Sequence, residues 1–168
     1  TQIPLEARNH YEGIARFWRA YFYYDKVKRY GDVPWYSTPL KTDDQELLYK
    51  PRDPRSLVMD SVLADLNFAC ENIRDTKDNM SSLVTRQVAL AFKSRVCLFE
   101  GTFRKYHPET GLQNSANKFL EEAANAAKQV MDAGKYKIYD KGNPSKDYRT
   151  LFTSENPVSD EVMWAVVY

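Results

Sequence analysis

Few residues in this chain are of a type and spacing that does covalent chemistry. His10 and His107 lie far apart, neither has a partner at metal-ligand spacing, and no His-Glu-x-x-His pattern occurs. His107 opens His107-Pro108-Glu109-Thr110-Gly111, which reads as an ordinary turn between two helical patterns. It lacks the leading Leu that a sortase recognition pentapeptide would need. The adjacent carboxylates Glu121 and Glu122 face different directions on a helix and suit a helix start better than acid–base catalysis. Glycines are scattered at helix ends and turns, so no phosphate-cradling loop is present, and no Ser sits in a nucleophile elbow. Cys70 and Cys97 each lie within an apolar helical run and read as buried free thiols, not as a disulfide framework. Asn79-Met80-Ser81 fits a glycosylation acceptor, a triplet common by chance. The expectation is a protein with no catalytic residues, no metal site and no cofactor.

Binding is better served. Trp35 and Tyr36 follow Pro34 in a long loop, where aromatic faces could stack on sugar rings or anchor a protein partner. The alternative is that one of them packs back onto the preceding helix. Trp35 and Tyr36 are thus the candidate ligand- or partner-binding residues.

The elements that must position them follow from hydrophobic periodicity. A first helix is predicted over about 5–30, with Ala7, Tyr11, Ile14, Trp18 and Tyr21 at helical spacing and Phe17 and Tyr24 widening the stripe. Lys26, Lys28 and Arg29 fill its last turn, Gly31 fits a left-handed terminator, and Pro34 forbids continuation. Tyr21-Phe22-Tyr23-Tyr24 cannot all face one core, so Tyr23 should meet a second neighbour or solvent. Arg19 within this run calls for a carboxylate partner, with Asp32 one candidate. After the loop over 32–53, Asp53 could cap a second helix with Pro54 at its first position. Its apolar face is Val58, Val62, Leu66, Ala69 and Ile73.

A third helix is expected over about 83–103, capped by Ser82 or Thr85, with Val88, Phe92, Val96, Phe99 and Phe103 as its stripe. A fourth begins near Ser115 and stops at Gly134. Small residues at Ala89, Ala91, Ser94, Ala123, Ala124 and Ala127 suit close antiparallel packing of these two. Tyr136 to Tyr139 and Val162 to Val167 read as short strands, and Tyr148 to Phe152 is ambiguous. The predicted class is mainly α, in tetratricopeptide-like helical hairpins with minor strands near the C-terminal end, although no strict 34-residue repeat is present.

Composition sets the outer limits. With 168 residues the chain has room for one domain with a real core. Acidic and basic residues are interspersed and the net charge is +1, which argues against nucleic-acid binding through a basic stripe. Aromatics are 14% of the chain, twelve of them Tyr, suggesting wet interfaces or a polar-ligand surface besides the core. No apolar run of the roughly 18 residues a spanning helix needs is present. The chain opens on Thr1 and ends in the apolar run 161–168, so it reads as a segment of something longer, with any targeting signal outside it.

Several blocks carry a family resemblance. They are Arg16-Phe17-Trp18-Arg19-Ala20-Tyr21 continuing to Tyr30-Gly31-Asp32-Val33-Pro34, then Val62-Leu63-Ala64-Asp65-Leu66-Asn67-Phe68-Ala69. The small-residue helix from Thr85 to Phe99 follows, then the Ala-rich run 123–133 leading to Gly134-Lys135-Tyr136-Lys137-Ile138-Tyr139. Leu151-Phe152-Thr153 and Glu161-Val162-Met163-Trp164 complete the set. In order and spacing this resembles the SusD/RagB-like nutrient-binding lipoproteins of the Bacteroidetes outer membrane.

The resemblance implies that residues 1–168 are one helical segment of a SusD-like domain. The N-terminal lipoprotein region and the C-terminal part would lie outside it. It implies a non-catalytic accessory protein of a SusC-like TonB-dependent outer-membrane transporter, surface-exposed and lipid-anchored, binding an oligosaccharide or other nutrient. The matched blocks are scaffold motifs, so no ligand-contact residue carries over. A helical scaffold that binds only protein is the alternative, and a glycan-processing enzyme would need a carboxylate pair that is not apparent.

Overall fold

The computed structural model describes residues 3–166. Its helices are α1 (Leu5–Tyr30), α2 (Gln45–Leu48), α3 (Arg55–Asn72), α4 (Arg86–Tyr106), α5 (Ala116–Ala133) and α6 (Asp147–Thr153). Four of them, α1, α3, α4 and α5, form successive antiparallel neighbours. Along α1 and α3, Glu6 meets Arg74 just past α3, Arg16 meets Phe68, Arg19 meets Asp65, and Asp32 reaches Arg55. Along α4 and α5, Arg86 meets Gln129, Ser94 meets Ala123, and Arg104 meets Ser115. The predicted helical-hairpin class is therefore the observed one.

Small residues set the closeness of both pairs. A Cβ on Gly13 of α1 would come within 2.9 Å of Ile73, and one on Gly101 of α4 within 2.8 Å of Leu120. The predicted face of α3 is buried throughout, from Val58 to Ile73. On α1 the buried residues are instead Gly13, Phe17, Ala20, Tyr23, Tyr24 and Val27, while Tyr11 and Trp18 stay exposed. The core face is thus rotated away from the Tyr11–Trp18 stripe expected from sequence, because the small residues Gly13 and Ala20 allow close approach to α3. Full burial of Phe17, Met59, Leu66 and Phe119 contributes roughly 1.5–3 kcal/mol each from area removed from water.

Several expected boundaries move. Thr85, not Ser82, caps α4, its hydroxyl oxygen accepting the Val88 N–H at 3.4 Å. Pro54 precedes α3, which starts at Arg55, and Asp53 does not cap it. The Arg55 N–H donates instead to the Asp32 carboxylate at 2.8 Å, a cap supplied from the far end of the loop. Gly31 (φ 69°) ends α1 and Gly134 (φ 60°) ends α5, both in the positive-φ region that favours glycine. The ambiguous stretch around Tyr148–Phe152 is helical, as α6.

The two expected strands are not strands among the described residues. Tyr136–Tyr139 and Val162–Val166 carry no regular secondary structure, and Val167 lies outside the described residues. Lys137 donates its N–H to the Asp160 carbonyl at 2.9 Å, whereas Ala165 donates to Ser81 at 2.7 Å. Each segment hydrogen-bonds to a different loop, so alternation never becomes pairing, and Ile138 is left 82% exposed. An isolated antiparallel bridge joins Val33 and Asp53.

Three helices are joined by a sealed ion cluster. Glu100 of α4 is fully buried and accepts from Arg55 of α3 at 2.7 and 3.0 Å and from Arg104 of its own helix at 2.8 Å. Arg104 also donates to Ser115 Oγ at 2.8 Å and lies 4.3 Å over the Phe119 ring of α5. Arg55 lies 3.6 Å over the Phe103 ring. Cys70 and Cys97 are buried free thiols, as expected. Burial pushes Cys70 up to about 11 and Cys97 up to about 12. No helix among the described residues is long and apolar enough to cross a membrane.

Candidate functional site

The chain leaves α1 at Gly31 and returns to α3 through a closed loop. Its neck is the Val33–Asp53 bridge, with the Asp53 N–H donating to the Val33 carbonyl at 3.3 Å. Inside the neck, Asp53 accepts the Trp35 N–H at 2.7 Å and pairs with Lys50 at 2.6 Å. The Lys50 and Trp35 hydrogen bonds hold the Asp53 carboxyl below the usual range. Lys50 also donates to the Trp35 carbonyl at 2.9 Å. These contacts fix where both candidate aromatics sit.

Trp35 turns back onto the scaffold. Its ring centroid is 4.3 Å from that of Tyr23, and the Arg19 guanidinium lies 5.1 Å from it. Tyr23 therefore meets a second neighbour, as the aromatic run requires. Burial pushes its phenol above the ordinary value. Tyr36 donates its N–H to the Tyr23 hydroxyl at 2.9 Å and its own hydroxyl to the Leu47 carbonyl at 2.6 Å. Both aromatics are half-buried.

The two adjacent residues part company at the surface. Tyr36 lines a groove of about 540 Å³ with Ser37, Thr38, Glu12, Arg16 and Arg19, and Trp35 does not. Periodicity did not single out Arg16 and Glu12. Their spacing to Arg19 on one polar face of α1 was the available signal. Arg19 finds the carboxylate it needs in Asp65 of α3, not in Asp32. Nε and Nη2 each lie 2.7 Å from an Asp65 oxygen, a two-point contact that fixes the guanidinium plane. The Asp65 hydrogen bond raises the Arg19 pKa further, so the group stays a cation. Its remaining nitrogen donates to the Ser37 carbonyl at 2.9 Å, tying the loop to the α1–α3 pair.

Arg16 donates to Glu12 at 2.6 Å and lies 4.0 Å over the Phe68 ring. Two cations thus face two carboxylates, Glu12 and Asp65, and formal charge cancels. The arrangement offers one aromatic side chain, two hydroxyl residues and paired ions. It suits holding a neutral polar molecule, and it contains no nucleophile with an adjacent base. Among the described residues no group of three or more His, Cys, Asp or Glu is placed to hold a metal.

Residues 2–98 match the SusD-like family described as starch-binding associating with outer membrane. Over 91 residues the chain is 32% identical to SusD-like protein P2 of Formosa agariphila, covering 54% of this chain and 18% of that protein. The crystal structure of a SusD-like protein from Bacteroides fragilis superposes with a TM-score of 0.74 at 25% identity, covering 99% of this chain and 29% of that one. A further solved structure shares the fold at a TM-score of 0.61 and 21% identity, over 82% of this chain. The chain spans less than a third of the length of these relatives. With more than half of its length matched and the helical scaffold in common, the chain belongs to the SusD-like family.

Proposed function

We propose that this segment is the helical scaffold of a non-catalytic glycan- or nutrient-binding accessory protein serving a SusC-like TonB-dependent outer-membrane transporter. The whole protein would sit on the outer membrane, surface-exposed and lipid-anchored through a region outside these residues. Family membership over residues 2–98 carries the reading. The charge-balanced groove beside Tyr36 is compatible with it, because a neutral sugar needs an aromatic face and hydroxyl partners without a net field.

Within this reading Tyr36 contacts ligand or partner directly, and Trp35 contributes by holding the loop on Tyr23. Calorimetric titration with soluble polysaccharides and co-purification with a SusC-like transporter test the proposal together. Saccharide binding weakened at least fivefold by Tyr36→Ala is the expected result. Retained transporter binding with no saccharide binding would leave a protein-interaction scaffold instead. Release of reducing ends from any bound glycan would refute the non-catalytic assignment.

A further inference from the structure

A second concavity, of about 530 Å³, lies on a different face of α1, opposite the loop over 74–85. One wall is aromatic. Tyr11 and Trp18 line it and remain 65% and 44% exposed, although both are large enough to belong in a core. They are seven residues apart on one helix face, roughly 10 Å along the axis. That spacing suits a chain of linked rings better than a single ring. Trp18 is held edge-on by Phe17, Tyr21 and Trp164 at centroid distances of 5.5–5.7 Å, so the wall is rigid.

The other wall is the 74–85 loop, which brings Arg74, Thr76 and Ser82 together with the apolar Leu83 and Val84, while His10 lines the cavity from α1, beside Tyr11. The Asp78 carboxylate accepts the N–H groups of Met80, Ser82 and Leu83 at 2.6–3.0 Å, which sets the loop. His10 Nδ1 accepts the Arg74 N–H at 3.2 Å, so the neutral imidazole carries its proton on Nε2 as a donor. The Arg74 guanidinium is matched by Glu6 at 2.8 and 3.0 Å, so that charge is balanced at the rim. Aromatic rings and the His10 imidazole on the α1 side, with the Thr76 and Ser82 hydroxyls among apolar side chains on the loop side, form an amphipathic slot. A pyranose ring presents the same pair of faces, C–H on one and hydroxyl on the other.

We infer that this slot is a saccharide subsite, in which Tyr11 and Trp18 stack alternate rings of a neutral oligosaccharide while His10, Thr76 and Ser82 take its hydroxyls. The inference rests on the glycan-binding reading above and adds a location to it that is separate from the Tyr36 groove.

The test is two-dimensional NMR of the tryptophan indole N–H groups in the folded chain, titrated with maltoheptaose and, separately, cellohexaose. Trp18→Phe assigns the Trp18 signal. The expected result is a saturable shift of Trp18 with at least one glycan. Affinity should fall at least tenfold in Tyr11→Ala and at least threefold in Thr76→Val, with Tyr36→Ala leaving the Trp18 shift in place. Tyr11 and Thr76 are both exposed, so these variants should keep the helical circular dichroism of the parent. Binding that is lost in Tyr36→Ala and leaves the Trp18 signal unmoved would overturn this subsite while sustaining the glycan reading. Binding of neither glycan anywhere would overturn both.

Discussion

Two arginine–carboxylate clusters sit on α3 about three turns apart, and they do opposite work. At the N-terminal end of α3, Arg55 and Arg104 close on Glu100, with aromatic rings covering both guanidinium groups. Glu100 and Arg104 are sealed from solvent. Further along, Asp65 is equally buried, but its partner Arg19 remains partly open to the groove and hands a third contact to the loop. The sealed cluster can only join helices. The half-open one joins helices and also fixes a surface. The difference lies in what stands over each arginine, Phe119 and Phe103 in one case and the loop with Trp35 in the other.

The largest effect is expected from breaking the sealed cluster. Glu100→Ala removes the carboxylate that Arg55 and Arg104 share, leaving Arg104 only Asp60 at 3.6 Å as a counter-charge, and loss of one partner from a buried pair costs about 3–5 kcal/mol, read by urea denaturation. Cys97, one turn away, gives an independent readout. With its thiol pushed up to about 12, it should resist alkylation at pH 8 in the parent and react measurably faster in the variant. Parental stability in Glu100→Ala would erase the distinction between the clusters. A smaller loss, about 1–3 kcal/mol from overpacking, is expected of Gly101→Ala, because the new methyl meets Leu120 at 2.8 Å.

At the open cluster, Asp65→Asn should cost about 1.5–3 kcal/mol, the range for a hydrogen bond to a charged group. It should also loosen the loop, seen as faster amide exchange at Ser37 and Tyr36. Slower exchange there, or none of the expected change, would show that the loop is held by Asp53 alone. The Asp53 carboxyl titrates below its unfolded value, so its contribution is complete above about pH 4 and declines as the pH falls through the folded pKa. Asp53→Asn should therefore flatten the acid limb of the stability curve while leaving its neutral plateau slightly lower. The smallest effect belongs to Glu12→Gln, an exposed i,i+4 pair with Arg16 worth about 0.3–0.5 kcal/mol.

The same contrast explains what could be read from the chain beforehand. Helix extents were legible where apolar period and terminator agreed, as at Tyr30-Gly31 and Ala133-Gly134. The need for a partner to Arg19 was also visible, since a cation amid aromatics has few alternatives. Its identity was not, because Asp65 is distant in sequence and lies within an apolar run. The irregular segments near Tyr136 and Val162 misled because alternation records which faces differ and says nothing about whether a paired edge exists. Trp35 and Tyr36 were indistinguishable as adjacent aromatics. Only the ring position of Tyr23 separates the one that packs from the one that lines the groove.

The neck of the loop carries a consequence for variation. Asp32 caps α3 and Val33 bridges Asp53, so both helices are already terminated and joined before residues 34–52 begin. The excursion is closed at its neck independently of its contents. Its length and sequence beyond Ser37 can drift without disturbing the register of the helices, and transplanting it between scaffolds should need its two closing residues together with Arg19 and Tyr23 beneath it.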